Sequence, residues 1–460
     1  MLSSSTYLKG VVSALISLGV FGVLLLFFKD DNGGRSFFLL SCVTTSFYAY
    51  HSRNEHGKKE IYRGILFGLA ALFFLILVTS TIKAIVSKTE WDFLCFYMQG
   101  LLGAYKLNFY DPHSFQTLLS RIQFNHTFSD SFKAEILDVG LLSPPVTMLF
   151  FAPLTSFDYE TSKAIFSVLI FVFIILDVVI ANRLFFKKER TIDSLLFTFI
   201  ILALLPGTFE TVFYNQTNFF LLFFILQTIK NINKPTAGIY LALSIVIKPI
   251  TGILFLFFII HRRWKAAIAF VVTGCMLVAI TAMIWGMHNV TGFFTSPPTS
   301  RLPHSLYEQP LNQSIIALFN RNIKFSGVSQ HMIDLIYYCT VAIIIVVTII
   351  VSKKLSKRGS LVSFFPFMLS MLMIYPSSLN HYMVCILPIC LYLLSLKEGN
   401  LFFWILLAVG FSFLYTEVFF SYVAFFGTLS CLAWSYQEDK PSGRKPKFSI
   451  ELRETAPFVS

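Results

Sequence analysis

The chain has 460 residues, of which 56% are hydrophobic and only 13% charged, with a mean hydropathy of +0.71. Soluble domains carry about 25% charged residues, so that class is excluded and an integral membrane protein is expected. The net charge of +12 sits in short basic blocks between apolar runs, the pattern of cytoplasmic loops, and calls for no nucleic-acid partner.

Apolar runs of spanning length occur near 10–28, 36–50, 61–86, 163–186, 192–206, 211–229, 265–287, 333–351, 361–375, 380–396, 400–415 and 417–434. The first, from Val11 to Phe28, has no small-residue cleavage site and leads into further spans, so it is expected as a retained helix. Two stretches are ambiguous. Residues 235–260 form either one helix kinked at Lys248-Pro249 or two short ones, and 144–157 is short for a span. The expectation is an all-α polytopic protein with about 13 transmembrane helices.

The blocks at Arg53–Arg63, Arg262–Lys265 and Lys353–Arg358, with the tail after Trp434, mark the cytoplasmic side. The long loops 87–143 and 288–332 then lie on the other side. Arg183, Lys187, Lys188 and Arg190 also belong with the cytoplasm, which requires 144–157 to re-enter. If that stretch crosses, 235–260 must be one helix to restore parity. The chain divides into two added helices (1–60), a core (61–396), C-terminal helices (397–435) and a basic, polar tail (436–460) expected to be disordered. Seven scattered Cys with no ligand spacing read as small buried hydrophobes, and no metal site or cofactor is expected.

The polar residues come in a set order. Asp92, in SKTEWDFLCFYMQG, follows a span and sits among Trp91, Phe93, Phe96 and Tyr97. It is either a solvated acid in an interfacial aromatic belt or a general base. The loop it opens is apolar and aromatic enough for amphipathic surface helices. Lys248 lies deep in an apolar run, where a charge costs roughly 3 kcal/mol to insert. It either snorkels to the surface or meets an anion such as a phosphate headgroup. Tyr214–Asn218, Leu311–Ser314 and Asn380–Tyr382 bring amides, hydroxyls and an imidazole to helix ends, suited to sugar binding or to capping. Sequons start at Asn125, Asn215, Asn289 and Asn312 and matter only in a eukaryotic secretory route.

Taken in order, WDFLCFY, NFYDP, LLSPPVTMLFFAPL, NQTNFF, IKPITGILFLFFIIHRRW, LNQSIIALFNR and LNHYMVCILP resemble the polyprenol-phosphate-mannose-dependent α-mannosyltransferases. These are bacterial GT-C membrane glycosyltransferases. The similarity spans about residues 85–395. It departs at Asn215, where the family usually has Gly, and at Ser143, where an aromatic residue is commoner. The resemblance implies a GT-C fold and inverting transfer of a hexose, mannose above all, from a polyprenyl-phosphate monosaccharide to a hydroxyl of a lipid or glycan acceptor. Transfer would take place on the extracytoplasmic face of a bacterial inner membrane. It implies Asp92 as base, Lys248 and His381 at the donor phosphate, and Tyr97, Tyr110, Gln216, Asn218, Asn312 and Ser314 at sugar or acceptor. A glycolipid polymerase or ligase, or a flippase, are the competing readings.

Overall fold

The computed structural model describes residues 4–28, 32–52, 59–87, 92–121, 143–186, 191–295, 312–323, 328–396, 401–413 and 418–435. Glu90, Trp91, residues 122–142 with Asn125, and the tail lie outside them. Among the described residues the chain is all helix, with a single isolated β-bridge between Asn312 and Leu379.

The helices are α1 (Ser4–Phe28), α2 (Asn32–Ser52), α3 (Lys59–Val86), α4 (Asp92–Ala104) and α5 (Pro112–Arg121). After the short helical turns α6 (Pro145–Ser156) come α7 (Tyr159–Phe185), α8 (Ile192–Leu204), α9 (Pro206–Phe213) and α10 (Asn218–Lys230). Then follow α11 (Thr236–Ile247), α12 (Pro249–Ile260), α13 (Trp264–Trp285), α14 (Met287–Thr295), α15 (Ile315–Ile323) and α16 (Gln330–Leu355). The last are α17 (Ser360–Ile374), α18 (Asn380–Ser395), α19 (Leu401–Ser412) and α20 (Val418–Ser435).

Four of these, α3, α7, α13 and α16, are long and apolar enough to cross a bilayer alone, and α8–α9 is a fifth if its 73° bend is counted within one span. The stretches 192–213 and 235–260 are broken. The reason is local. A residue before proline is driven out of the α region by the pyrrolidine ring. Leu205 before Pro206 is extended, with φ −72° and ψ 123°. Lys248 before Pro249 is extended too, with φ −148° and ψ 127°.

The two ambiguous stretches are settled by what holds their ends. Segment α6 starts where the Gln99 side chain donates to Ser143 O at 3.0 Å and ends where Tyr97 Oη donates to Phe157 O at 2.9 Å. Both anchors lie on α4, so the contiguous turns of 3, 4 and 5 residues are held against that helix at both ends. The α11–α12 pair is a hairpin. Arg263 Nη1, past its far end, donates to Ile232 O at 2.8 Å, just before its near end. The 12 residues of α11 rise about 18 Å, short of the roughly 30 Å of a bilayer's hydrocarbon core.

Contacts between helix ends draw the basic segments to one face. Arg63 pairs with Asp193 at 2.8 Å, His261 Nε2 meets Ser352 Oγ at 2.8 Å, and the Lys354 ammonium lies 3.8 Å above the Trp434 ring. His51 Nε2 is 3.2 Å from Leu394 O. On α1 and α3 small residues allow close approach: a Cβ on Gly64 would lie 2.2 Å from Gly10 O, and one on Gly68 2.3 Å from Ala14 O. That is the small-xxx-small packing of membrane helices. An apolar groove of about 460 Å³, lined by Phe67, Phe74, Phe171, Ile175, Val179 and Phe199, runs between α3, α7 and α8, apart from the polar cluster described next.

Candidate active site

The cluster forms where four chain breaks meet, opposite the basic face. At its centre is Lys248, buried at the hairpin apex. Its Nζ donates to Gln216 Oε1 at 2.7 Å and to Asn218 Oδ1 at 3.1 Å, and lies 4.3 Å from the centroid of the Tyr382 ring. The ammonium is therefore not snorkelling. Hydrogen bonds from a charged donor contribute about 1.5–3 kcal/mol each and a desolvated cation–π contact about 2, which offset part of the cost of its burial.

Gln216 carries the connection onward. With its oxygen facing Lys248, its amide hydrogen-bonds the Asp92 carboxylate at the start of α4. Asp92 is half-buried. Burial pushes its carboxyl above the usual range, while the Gln216 hydrogen bond and the Lys248 charge pull the other way. Asn218 ties in the remaining strand. Its Nδ2 donates to Thr211 Oγ1 and to His381 O, both at 3.0 Å, and Thr211 Oγ1 also reaches His381 O at 3.3 Å. The His381 ring is buried, in the field of Lys248, and its Nε2 has no hydrogen-bond partner among the described residues.

The local sequence explains this convergence. Asn215 has φ 52°, a left-handed backbone that Gly and Asn tolerate best. This is where the resembling family usually has Gly. The turn swings Gln216 and Asn218 towards Lys248, and Asn215 Oδ1 is fixed by Ser167 Oγ at 2.8 Å. Gly207 lets α9 lie directly on the 380–386 turn. A Cβ there would come 2.8 Å from both Asn380 O and His381 O.

Asp92, Gln216, Asn218, Lys248 and His381 are thus brought together. The other expected residues surround them, with their polar atoms on backbone. Tyr97 and Tyr110 hold the two ends of the α6 segment, Tyr110 Oη donating to Ser143 O at 2.9 Å. That segment in turn supports the apex, for Thr147 Oγ1 donates to Val246 O at 2.7 Å. Asn312 Nδ2 and Ser314 Oγ each donate to Pro376 O at 2.9 Å, steadying the strand that leads into His381. Asn215, Asn289 and Asn312 are buried, so three of the four sequons lack a free acceptor amide. Among the described residues no three His, Cys, Asp or Glu side chains gather as a metal site.

Sequence reasoning missed two acids, Glu210 and Asp177. Asp177 stands in the run 163–186, where a charge was the signal available, and Glu210 stands in the short gap between the runs 192–206 and 211–229. The Asp177 carboxylate is fully buried, with neither oxygen hydrogen-bonded among the described residues.

The model of glycosyltransferase family 87 matches residues 142–379, half of the chain. The chain belongs to glycosyltransferase family 87. No curated protein and no solved structure shows a significant match. As a family 87 member it is a glycosyltransferase, and its helical, multi-span architecture is of the GT-C type. The matched stretch holds Gln216, Asn218, Lys248, Asn312 and Ser314, while Asp92 and His381 flank it on either side.

Proposed function

We propose that this family 87 member is an inverting hexosyltransferase. It moves a hexose, mannose by the resemblance above, from a polyprenyl-phosphate monosaccharide to a hydroxyl of a lipid or glycan acceptor. The transfer takes place on the extracytoplasmic side of a bacterial inner membrane. One observation carries the reading: a carboxylate and an ammonium are joined through a single amide, Gln216, at the apex of an apolar hairpin. A donor anchored in the bilayer arrives sideways, and its phosphate is the anion that Lys248 suits.

In this reading the acceptor oxygen attacks the anomeric carbon as Asp92 takes its proton. The bond from that carbon to the phosphate oxygen breaks on the opposite face, which inverts the centre. The leaving polyprenyl phosphate keeps the bonding electrons, and Lys248 Nζ and His381 Nε2 stabilise the charge that develops there. Gln216 and Asn218 orient the two charged groups, and the tyrosines of the α4–α5 region hold the frame around the acceptor.

The test is transfer in detergent from defined polyprenyl-phosphate hexoses, with the product analysed by mass spectrometry and its anomeric configuration by NMR. An inverted product from a monophosphate donor is expected. Transfer only from lipid diphosphate glycans, or retention of configuration, would overturn the reading.

A further inference from the structure

A second buried lysine stands apart from the cluster around Lys248. Lys163 lies one turn into α7 and is 2% exposed. A lysine near a helix end usually snorkels to water, yet this Nζ donates to Ser87 O, just past the C-terminus of α3. That end of a helix carries unpaired carbonyls and the negative pole of the dipole, so a cation is favoured there. A methionine would fill the same space without burying a charge, so packing alone does not call for an ammonium. Phe166 and Ser167 share the face of α7 that bears Lys163. The Phe166 ring stacks on Phe93 at 5.1 Å and on Phe220 at 5.5 Å. Ser167 Oγ donates to Asn215 Oδ1 at 2.8 Å, with Lys163 O as a second acceptor at 2.9 Å.

These contacts bracket both ends of the bond that joins Asp92 to Gln216. Ser87 and Phe93 flank Asp92 in the chain, and Asn215 and Phe220 flank Gln216 and Asn218. One turn of α7 thus touches both sides of each leg of the site. We propose that Lys163 and Ser167 are positioning residues, which hold the start of α4 and the Asn215 turn in register and so set the separation of the Asp92 carboxylate and the Gln216 amide. Lys163 acts on the Asp92 leg and Ser167 on the Gln216 leg, both through the polar cluster rather than on substrate. The role in rate rests on Asp92 being the base of the proposed transfer. A displaced base loses rate and keeps donor affinity, and a shift of about 1 Å in a reacting group costs about 10²-fold.

The experiment measures kcat and donor KM for Lys163→Met, Lys163→Arg and Ser167→Ala with a short polyprenyl-phosphate mannose, each in the wild-type and Asp92→Asn backgrounds. Lys163→Met and Ser167→Ala should lower kcat about 10–100-fold and leave donor KM within about twofold. Lys163→Arg, which keeps a charged donor for Ser87 O, should recover most of that loss. On Asp92→Asn neither change should cost more, because residues that act through one group are not additive. Wild-type kcat in both variants, equal losses in the two backgrounds, or a raised donor KM with kcat unchanged would overturn the assignment. Amide hydrogen exchange separates the brace from the reaction. Lys163→Met should speed exchange in α4 and Ser167→Ala in peptides covering Asn215, with α12 unchanged. Unaltered exchange in both places would overturn the brace. Faster exchange in a protein that uses no polyprenyl monophosphate would uphold the brace and remove its role in the proposed transfer.

Discussion

Asp92 and Lys248 divide one task, and their environments let each be tested alone. Burial raises the Asp92 carboxyl above the usual carboxylate range, so the acidic limb of kcat/KM should lie higher than for an exposed acid, with activity gained as pH rises through it. Stability has the opposite sign. A group that holds its proton more tightly folded than unfolded contributes stability below its unfolded pKa, and that is lost as pH rises through the folded value. Asp92→Asn should therefore raise Tm at neutral pH while lowering turnover by about 10²–10⁴-fold. A variant that turns over normally, or melts earlier at neutral pH and later in acid, would contradict this. His381→Ala should lower transfer and leave Tm nearly unchanged, since Nε2 makes no hydrogen bond among the described residues. A large Tm loss would instead make the ring a packing element against Tyr382.

Among the elements, the site depends on breaks in helices, and those were only partly legible in the sequence. Lys248 stood out because a charge in an apolar run needs a partner. That α11 and α12 fold back on each other did not, because the deciding bond joins Arg263 to Ile232, and hydropathy carries no information about such pairings. Gln216 and Asn218 were visible as polar residues at a boundary, but their convergence on Lys248 depends on the left-handed Asn215 turn. Gly207 gave no signal at all, since its role is fixed by a carbonyl 173 and 174 residues onward. Substituting it tests that contact. Gly207→Ala should push the 380–386 turn away from α9 and cut transfer several-fold or more, with folding retained in detergent. Wild-type kinetics would show that the turn adjusts without cost. Asp177 offers the converse case. An unpartnered buried carboxyl costs on the order of 1–3 kcal/mol, so the near-isosteric, apolar Asp177→Leu should raise Tm and keep transfer. Loss of activity there would bring α7 into the chemistry.

Across the whole molecule, the positive-inside pattern puts the basic blocks on one face, and contacts join Arg63 to Asp193, and the 261 and 434 ends to the 352–354 block. The outer helices are less separate than their place at the chain ends suggests. Phe419 N on α20 is bonded to Gln313 Oε1 at 3.1 Å, and Tyr422 is buried in the core. Single cysteines at 105 and 157, exposed at the α4 and α6 ends, should react with an impermeant thiol reagent from outside the cell, and one at 353 only after permeabilisation. Labelling of 157 from the cytoplasm would reverse the orientation. The central claim is that Lys248 binds the donor phosphate and Asp92 acts only once it is bound. The most direct measurement is therefore donor binding and single-turnover transfer, side by side, for Asp92→Asn and Lys248→Met with a short polyprenyl-phosphate mannose. Asp92→Asn should bind the donor near the wild-type affinity and fail to transfer, while folded Lys248→Met should lose donor binding itself. Normal donor affinity in Lys248→Met, or normal transfer in Asp92→Asn, would contradict the account.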